Sequence, residues 1–385
     1  MSSATNVQSS ANLELHDEED PLRPYFDPTD HGLDNSFRLT HFVELEAGGL
    51  GTLWQPETVV QDELPSAAPK LGIPHDCSVI PLRRGFGWLV QTTGLCYPII
   101  DDPYVMGKIA CTKVLNNLYA MGVSECENLT ILLGVRSGWT EQERDVVLPL
   151  MVRGYKRCVA EAGARITGIR SIVNPWCILG GVATSVCQQD GFIEQGNAIA
   201  GDVLLLTKPL GTQLALDAYQ SIWDAESRSK RIKLTITEEQ VKQAHRQAIN
   251  SMSRLNSVAA RLMFKHNAHG ATHIGELGLV GHAQHLANMQ KQELTFYIYN
   301  LPLIGHMAAL AKDNGEANDR QLLEGLAPEL SGGLLICLPR KQAAAFCTEI
   351  KELDGHPAWI IGMVTKGNRT VRLVKRAQHI DVKDD

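Results

Sequence analysis

Four groups of residues in this chain have the types and spacing to do chemistry. Lys113 and Asn117 stand four apart within DDPYVMGKIACTKVLNNLYAMG, residues 101–122. On a helix such a pair projects from one face, so an amine and an amide would meet the same ligand. Gly48, Gly49 and Gly51 crowd a loop whose N–H groups could cradle a phosphate if a cation or helix end assists. His266, His269, His273, His282 and His285 include two spacings, His269…His273 and His282-x-x-His285, that suit zinc or nickel. Asp101 and Asp102 form a carboxylate pair of the kind used in acid–base work.

Each group has a plainer reading. No Gly-Lys-Ser/Thr follows the glycine loop, which excludes a P-loop and leaves a flexible loop as the preferred reading. Only Glu276 lies near the histidines as a further ligand, so these are read as structural or exposed imidazoles. Asp102 is a good N-cap and Asp101 a turn residue. Cys96 and Cys111 read as small core residues and not as nucleophiles.

The elements that must position these groups follow from local signals. Asp102 as N-cap, Pro103 at the first helical position and Gly122 as the stop predict a helix over 102–121. Thr140 with Glu143 forms a capping box for a helix over 140–163. Strands are predicted at 77–82, 87–93 and 128–135, with two more in 165–187 around Asn174-Pro175. A buried strand opens a second unit at 201–211. Helices follow at 212–224, 237–265 and 278–290, and a strand near 295–304. A helix at 304–313, a strand at 331–339, a helix at 341–353 and a hairpin over 359–374, turned at Lys366-Gly367-Asn368, complete it. This order gives an α+β fold with a mixed sheet and no Rossmann repeat. The boundary is placed at 196–201. The expected organisation is a mobile polar arm (1–35), an N-terminal domain (36–198), a C-terminal domain (199–376) and a charged tail (377–385).

The 385 residues suffice for two domains, and 44% hydrophobic with 21% charged residues is typical of a globular protein. A formal net charge of −7, with no basic stripe or zinc-finger spacing, gives no nucleic-acid partner. No apolar run is long enough to span a bilayer, and the polar, then acidic, first twenty residues are neither secretory nor transit-like. The nine cysteines are scattered singly with no C-x-x-C, which predicts reduced thiols and a cytoplasmic setting.

SFRLTHF, DCSVIPL, YPIIDDPYVMGKIAC, NLYAMGV, TKPLGTQ, NAHGAT and SGGLLICLPR together resemble the animal selenophosphate synthetases (selenide, water dikinases), the insect type without selenocysteine above all. The resemblance runs from about Ser36 to Val374. It implies a two-domain fold like aminoimidazole ribonucleotide synthetase, with the N-terminal domain forming a dimer sheet. It also implies ATP and Mg2+ as cofactors, and conversion of ATP, selenide and water to selenophosphate, AMP and phosphate.

Carried over by position, the family's chemistry is thinned. The resemblance puts the reactive selenium or sulfur residue at Gly48 and the phosphate-binding lysine at Gly51. Its ATP-binding positions fall on Pro74, His75, Asp76, Gly94, Asn117, Gly168, Ile169, Arg170 and Ser171. Its metal positions fall on Asp76, Lys113, Asn117 and His273, of which only Asp76 is still a carboxylate. Gly275-Glu276-Leu277 replaces a Thr-Gly-Phe, and Leu330 a threonine. Magnesium prefers short bonds to oxygen, which an ammonium and an imidazole do not offer. The expectation is a retained fold, impaired catalysis, and a regulatory or scaffolding role as a homodimer or as a heterodimer with an intact paralogue. The alternatives are an active ATP-dependent selenide, water dikinase or other phosphotransferase, and a new phosphate site built from Lys113 and Arg170.

Overall fold

A computed structural model describes residues 26–40, 77–82, 87–188, 190–222, 232–313 and 317–383. Its first half is a five-stranded sheet, ordered β1-β2-β5-β3-β4. The strands are β1 (Ser78–Pro81), β2 (Trp88–Cys96), β3 (Asn128–Arg136), β4 (Ile166–Asn174) and β5 (Ile178–Cys187). β3 and β4 are parallel and the other pairs antiparallel, so the sheet is mixed. Helices α1 (Pro103–Ala120) and α2 (Glu141–Glu161) cover one face. Asp102 caps α1 by accepting from the N–H groups of Tyr104 and Val105, and the Thr140–Glu143 capping box starts α2. Asp101 serves the fold as well, accepting from the Thr40 N–H and hydroxyl.

Two glycines let α1 and α2 touch through their backbones. A Cβ at Gly107 would lie 2.1 Å from the Met151 carbonyl oxygen, and one at Gly154 would lie 1.8 Å from that of Tyr104. α1 is buried nearly all round, as a helix sandwiched between sheet, α2 and the second half must be.

The second half is a six-stranded sheet, ordered β11-β8-β10-β6-β9-β7. Its strands are β6 (Asp202–Leu206), β7 (Gly270–His273), β8 (Leu294–Ile304), β9 (Leu334–Pro339), β10 (Trp359–Lys366) and β11 (Thr370–Val382). The helices are α3 (Thr212–Ser221), α4 (Glu238–Ser253), α5 (Ser257–Lys265), α6 (Gly278–Asn288), α7 (Met307–Asp313), α8 (Ala317–Leu323) and α9 (Arg340–Asp354). No helix among the described residues is long and apolar enough to cross a membrane.

Several sequence expectations need correction. The helix expected over 237–265 is two, because Arg254 turns extended, at φ −77° and ψ 133°. The turn is fixed by distant partners: the Arg254 carbonyl accepts from Lys208, and Asn256 bonds Asn116 and Thr207. The closing hairpin is not one. β10 and β11 flank β8, antiparallel and parallel to it respectively. β11 also runs on to Val382, through most of the segment expected as a charged tail. Within the expected mobile arm, residues 28–31 form a 3-10 helix and Leu33 is buried. The remainder of that arm, residues 1–25, lies outside the described residues.

Candidate functional site

The positions singled out on α1 lie where the two halves meet. Thr112 places its hydroxyl 3.1 Å from the Ser253 carbonyl. Asn116 is fully buried, donates to the Gly332 carbonyl at 3.3 Å, and accepts from Asn256 at 2.9 Å. Lys113, between them, ion-pairs with Glu276 in the turn after β7. Four residues on, the Asn117 amide donates to the Thr92 hydroxyl of β2 at 2.7 Å. The shared face read from the spacing exists, and each of its two polar groups has a protein partner.

Gly94 sits under the same helix. A Cβ there would lie 3.2 Å from Val114 Cγ2 and 3.4 Å from its Cα. A side chain at this position would require the Val114 methyl group to give way by a few tenths of an ångström. On the other side, the His273 and His282 rings lie 5.3 Å apart, and a Cβ on Gly275 would stand 3.2 Å from Nε2 of each. The fold therefore brings Gly94, Lys113, Asn117 and His273 to one junction.

The electrostatics follow from burial and pairing. Burial pushes the Glu276 carboxyl up. The Lys113 ammonium and its hydrogen bond, helped by the Glu276 backbone N–H and His273, outweigh that and hold it below the usual carboxylate range. Burial raises the Cys96 thiol to about 11, with Lys113 pulling it down and Glu276 pushing it up. That thiol donates to the Leu179 carbonyl, and Cys111 is likewise buried with its thiol raised, so both behave as core residues.

A magnesium site does not fit this set. Lys113 offers no lone pair while protonated and its neighbour neutralises it. The Asn117 side chain is turned to Thr92, Gly94 has no side chain, and imidazole is a poor ligand for a hard cation. Among the described residues, no group of three or more His, Cys, Asp or Glu could hold a metal ion. Of the five histidines, His266 bonds Glu349 and Gln342, and His269 bonds Asp202. Gly48, Gly51, Pro74, His75 and Asp76 lie outside the described residues.

Gly168, Ile169, Arg170 and Ser171 lie within a strand, as the pattern over 165–187 predicts. They sit in β4, the edge strand, in register with Thr130 to Leu133 of β3. From Gly94 the direct row runs through Gly181 and Ile131 to Ile169, three strand spacings or roughly 14 Å. The Arg170 guanidinium bonds the carbonyl of Ile169 and is exposed. With Lys113 already paired, the structure does not assemble a joint Lys113–Arg170 phosphate site.

Sequence reasoning missed the groups that close this junction. Glu276 enters the sequence reading as a neighbour of histidines and as part of a changed family tripeptide, not as a partner for Lys113. The usable signal was a new cation on α1 accompanied by a new anion beyond β7. Glu329 was also missed. It is fully buried and accepts from the N–H groups of Gly211 and Thr212 at 2.5 and 3.2 Å, and from the Thr212 hydroxyl. Those are orphan donors at the start of α3, which has no side-chain cap of its own. Lys208 is also fully buried and donates to the carbonyls of Arg254 and Ser331. Burial drives its ammonium pKa well down.

Two family models match the chain. One, described as AIR synthase related protein, N-terminal domain, covers residues 74–186; the other, AIR synthase related protein, C-terminal domain, covers residues 200–375. Selenide, water dikinase 3 of Danio rerio is 46% identical over 397 residues, spanning 92% of this chain and 88% of its own length. Selenide, water dikinase 2 of Homo sapiens is 44% identical over 417 residues, spanning 99% and 92%. Among solved structures, a thiamine-monophosphate kinase from Stenotrophomonas maltophilia superposes with a TM-score of 0.60 at 16% identity, over 76% of this chain and 87% of that one. AaThiL complexed with AMPPCP and TMP superposes with a TM-score of 0.58 at 17% identity, over 80% and 89%. At such identities these two likenesses establish the fold alone, an AIR synthase fold.

Proposed function

This chain belongs to the selenide, water dikinase (selenophosphate synthetase) family, and on that premise we propose that it keeps the family fold while performing little or no dikinase chemistry. The role that remains is regulatory or scaffolding, in the cytoplasm. The observation that carries this reading is the Lys113–Glu276 ion pair, which stands where the family resemblance places a metal ligand. A triphosphate in a dry cleft needs hard cations to offset its charge before a nucleophile can approach. A neutral ion pair and an amide bonded to Thr92 do not supply that.

The scaffolding role calls for a partner, and we assign it to the open face of the five-stranded sheet. The helices cover the face that carries Gly94 and Ile131. Leu95 and Ile172 project from the other, 47% and 69% exposed, and Ile80 and Val186 share one cross-strand row there. A large apolar sheet face of this kind calls for a covering surface. A second copy of this chain, or an intact paralogue, offers the same sheet in the same orientation for a two-fold contact.

The experiment is a turnover assay with ATP, Mg2+ and selenide, reading AMP and selenophosphate. Background levels of both support the reading. Selenide-dependent AMP returns the chain to the active dikinases.

A further inference from the structure

The misfit at the metal position has a structural counterpart. Lys113 and Glu276 lie 163 residues apart and belong to different halves of the chain. Their side chains are only 16% and 21% exposed. The neighbouring α1 contacts with the second half, from Thr112 and Asn116, are neutral hydrogen bonds. The ion pair is the charged contact in this row, and it is tied to a short turn whose backbone is itself fixed. The Gly275 carbonyl accepts from the Glu329 N–H at 3.0 Å, and the Gly278 N–H donates to it at 3.0 Å.

We propose that Lys113 and Glu276 form a metal-independent clasp that holds the two halves of the chain closed at the junction of α1 and the turn after β7. An ammonium carried on the helix gives Glu276 the fixed charge compensation that a divalent cation gives a carboxylate elsewhere. Because both side chains are largely removed from water, losing one leaves the other charge without compensation, and the junction opens. Reversing the two charges preserves the attraction. The clasp rests on the reading that no magnesium occupies this position. Its test contains no nucleotide or selenide, so it can fail while that reading stands, and the reverse.

The test is hydrogen exchange on the full chain, following α1 and residues 270–278, in wild type, Lys113→Met, Glu276→Gln and the reversed pair Lys113→Glu with Glu276→Lys. Each variant is measured in EDTA and in excess Mg2+. The clasp predicts exchange at least about fivefold faster in each single variant, with half or more of that increase removed in the reversed pair. It also predicts wild-type rates that differ by less than twofold between EDTA and Mg2+. Should Lys113→Met fail to fold, Glu276→Gln and the reversed pair carry the comparison. Single variants that exchange like wild type, a reversed pair no slower than the singles, or wild-type protection that depends on Mg2+ would each overturn it.

Discussion

The Asn117 amide donates to the Thr92 hydroxyl at 2.7 Å, joining α1 to β2 inside the N-terminal half. Both residues are buried. The carboxamide is thus part of the packing of helix on sheet. Asn117→Ala strands the buried Thr92 hydroxyl without this contact. A loss of about 1–3 kcal/mol in unfolding free energy is expected, read from urea denaturation.

The α1–α2 contact makes a second prediction. Gly154→Ala puts a methyl group against the Tyr104 backbone, where no flexible side chain can move aside. The helices must separate, at a cost of about 1–3 kcal/mol or more. Substitution at Gly163, where nothing lies within 4 Å of an added Cβ but φ is +67°, should cost less. Thermal midpoints of the two alanine variants check the order.

Stability should respond to pH through two buried groups with opposite signs. Burial pushes Glu329 from its ordinary 4.5 to about 7, against the pull of Gly211 and Thr212. Between those values the folded chain holds a proton that the unfolded chain has lost, so this contribution falls as pH rises. Burial, with Arg246 nearby, lowers His245 from 6.5 to about 4. There the unfolded chain holds the extra proton, and stability falls as pH drops through that window. His245 stacks on Tyr219 with ring centroids 3.8 Å apart, which fits a neutral ring. Thermal midpoints from pH 4.5 to 7.5 should therefore steepen downward toward acid in Glu329→Gln and lose part of their acid sensitivity in His245→Phe.

How much of this was legible depended on whether the cause was local. The α1 start and the α2 capping box are written in adjacent residues, and both helices lie where Asp102, Gly122 and Thr140 put them. The break at Arg254 is caused by Lys208, Asn116 and Thr207, none of them close in sequence, so the helical pattern ran straight through it. The false hairpin has a similar cause. Lys366-Gly367-Asn368 does turn the chain, but Gly367 is pressed on Thr295 and its N–H donates to Glu293, so β8 comes between the two strands. At the site, the shared face of Lys113 and Asn117 was readable from spacing alone. Their partners Glu276 and Thr92 were not, because an ion pair across 163 residues leaves no periodicity.

The sheet-face proposal is checked by mass in solution. Ile172→Asp alters a side chain that the monomer leaves 69% exposed, so folding should be nearly unaffected. Light scattering should show a dimer for the wild type and a monomer for the variant. An unchanged mass would place the contact elsewhere.

The proposed loss of the family reaction is sited at the junction of α1, β2 and the turn after β7. The direct measurement is AMP and selenophosphate formed from ATP and selenide in excess Mg2+, by chromatography and 31P NMR, beside a protein without Lys113 and Glu276. The account predicts no selenide-dependent AMP or selenophosphate above the no-enzyme background from the wild type. AMP and selenophosphate formed together, in equal amounts and growing with wild-type concentration, would contradict it.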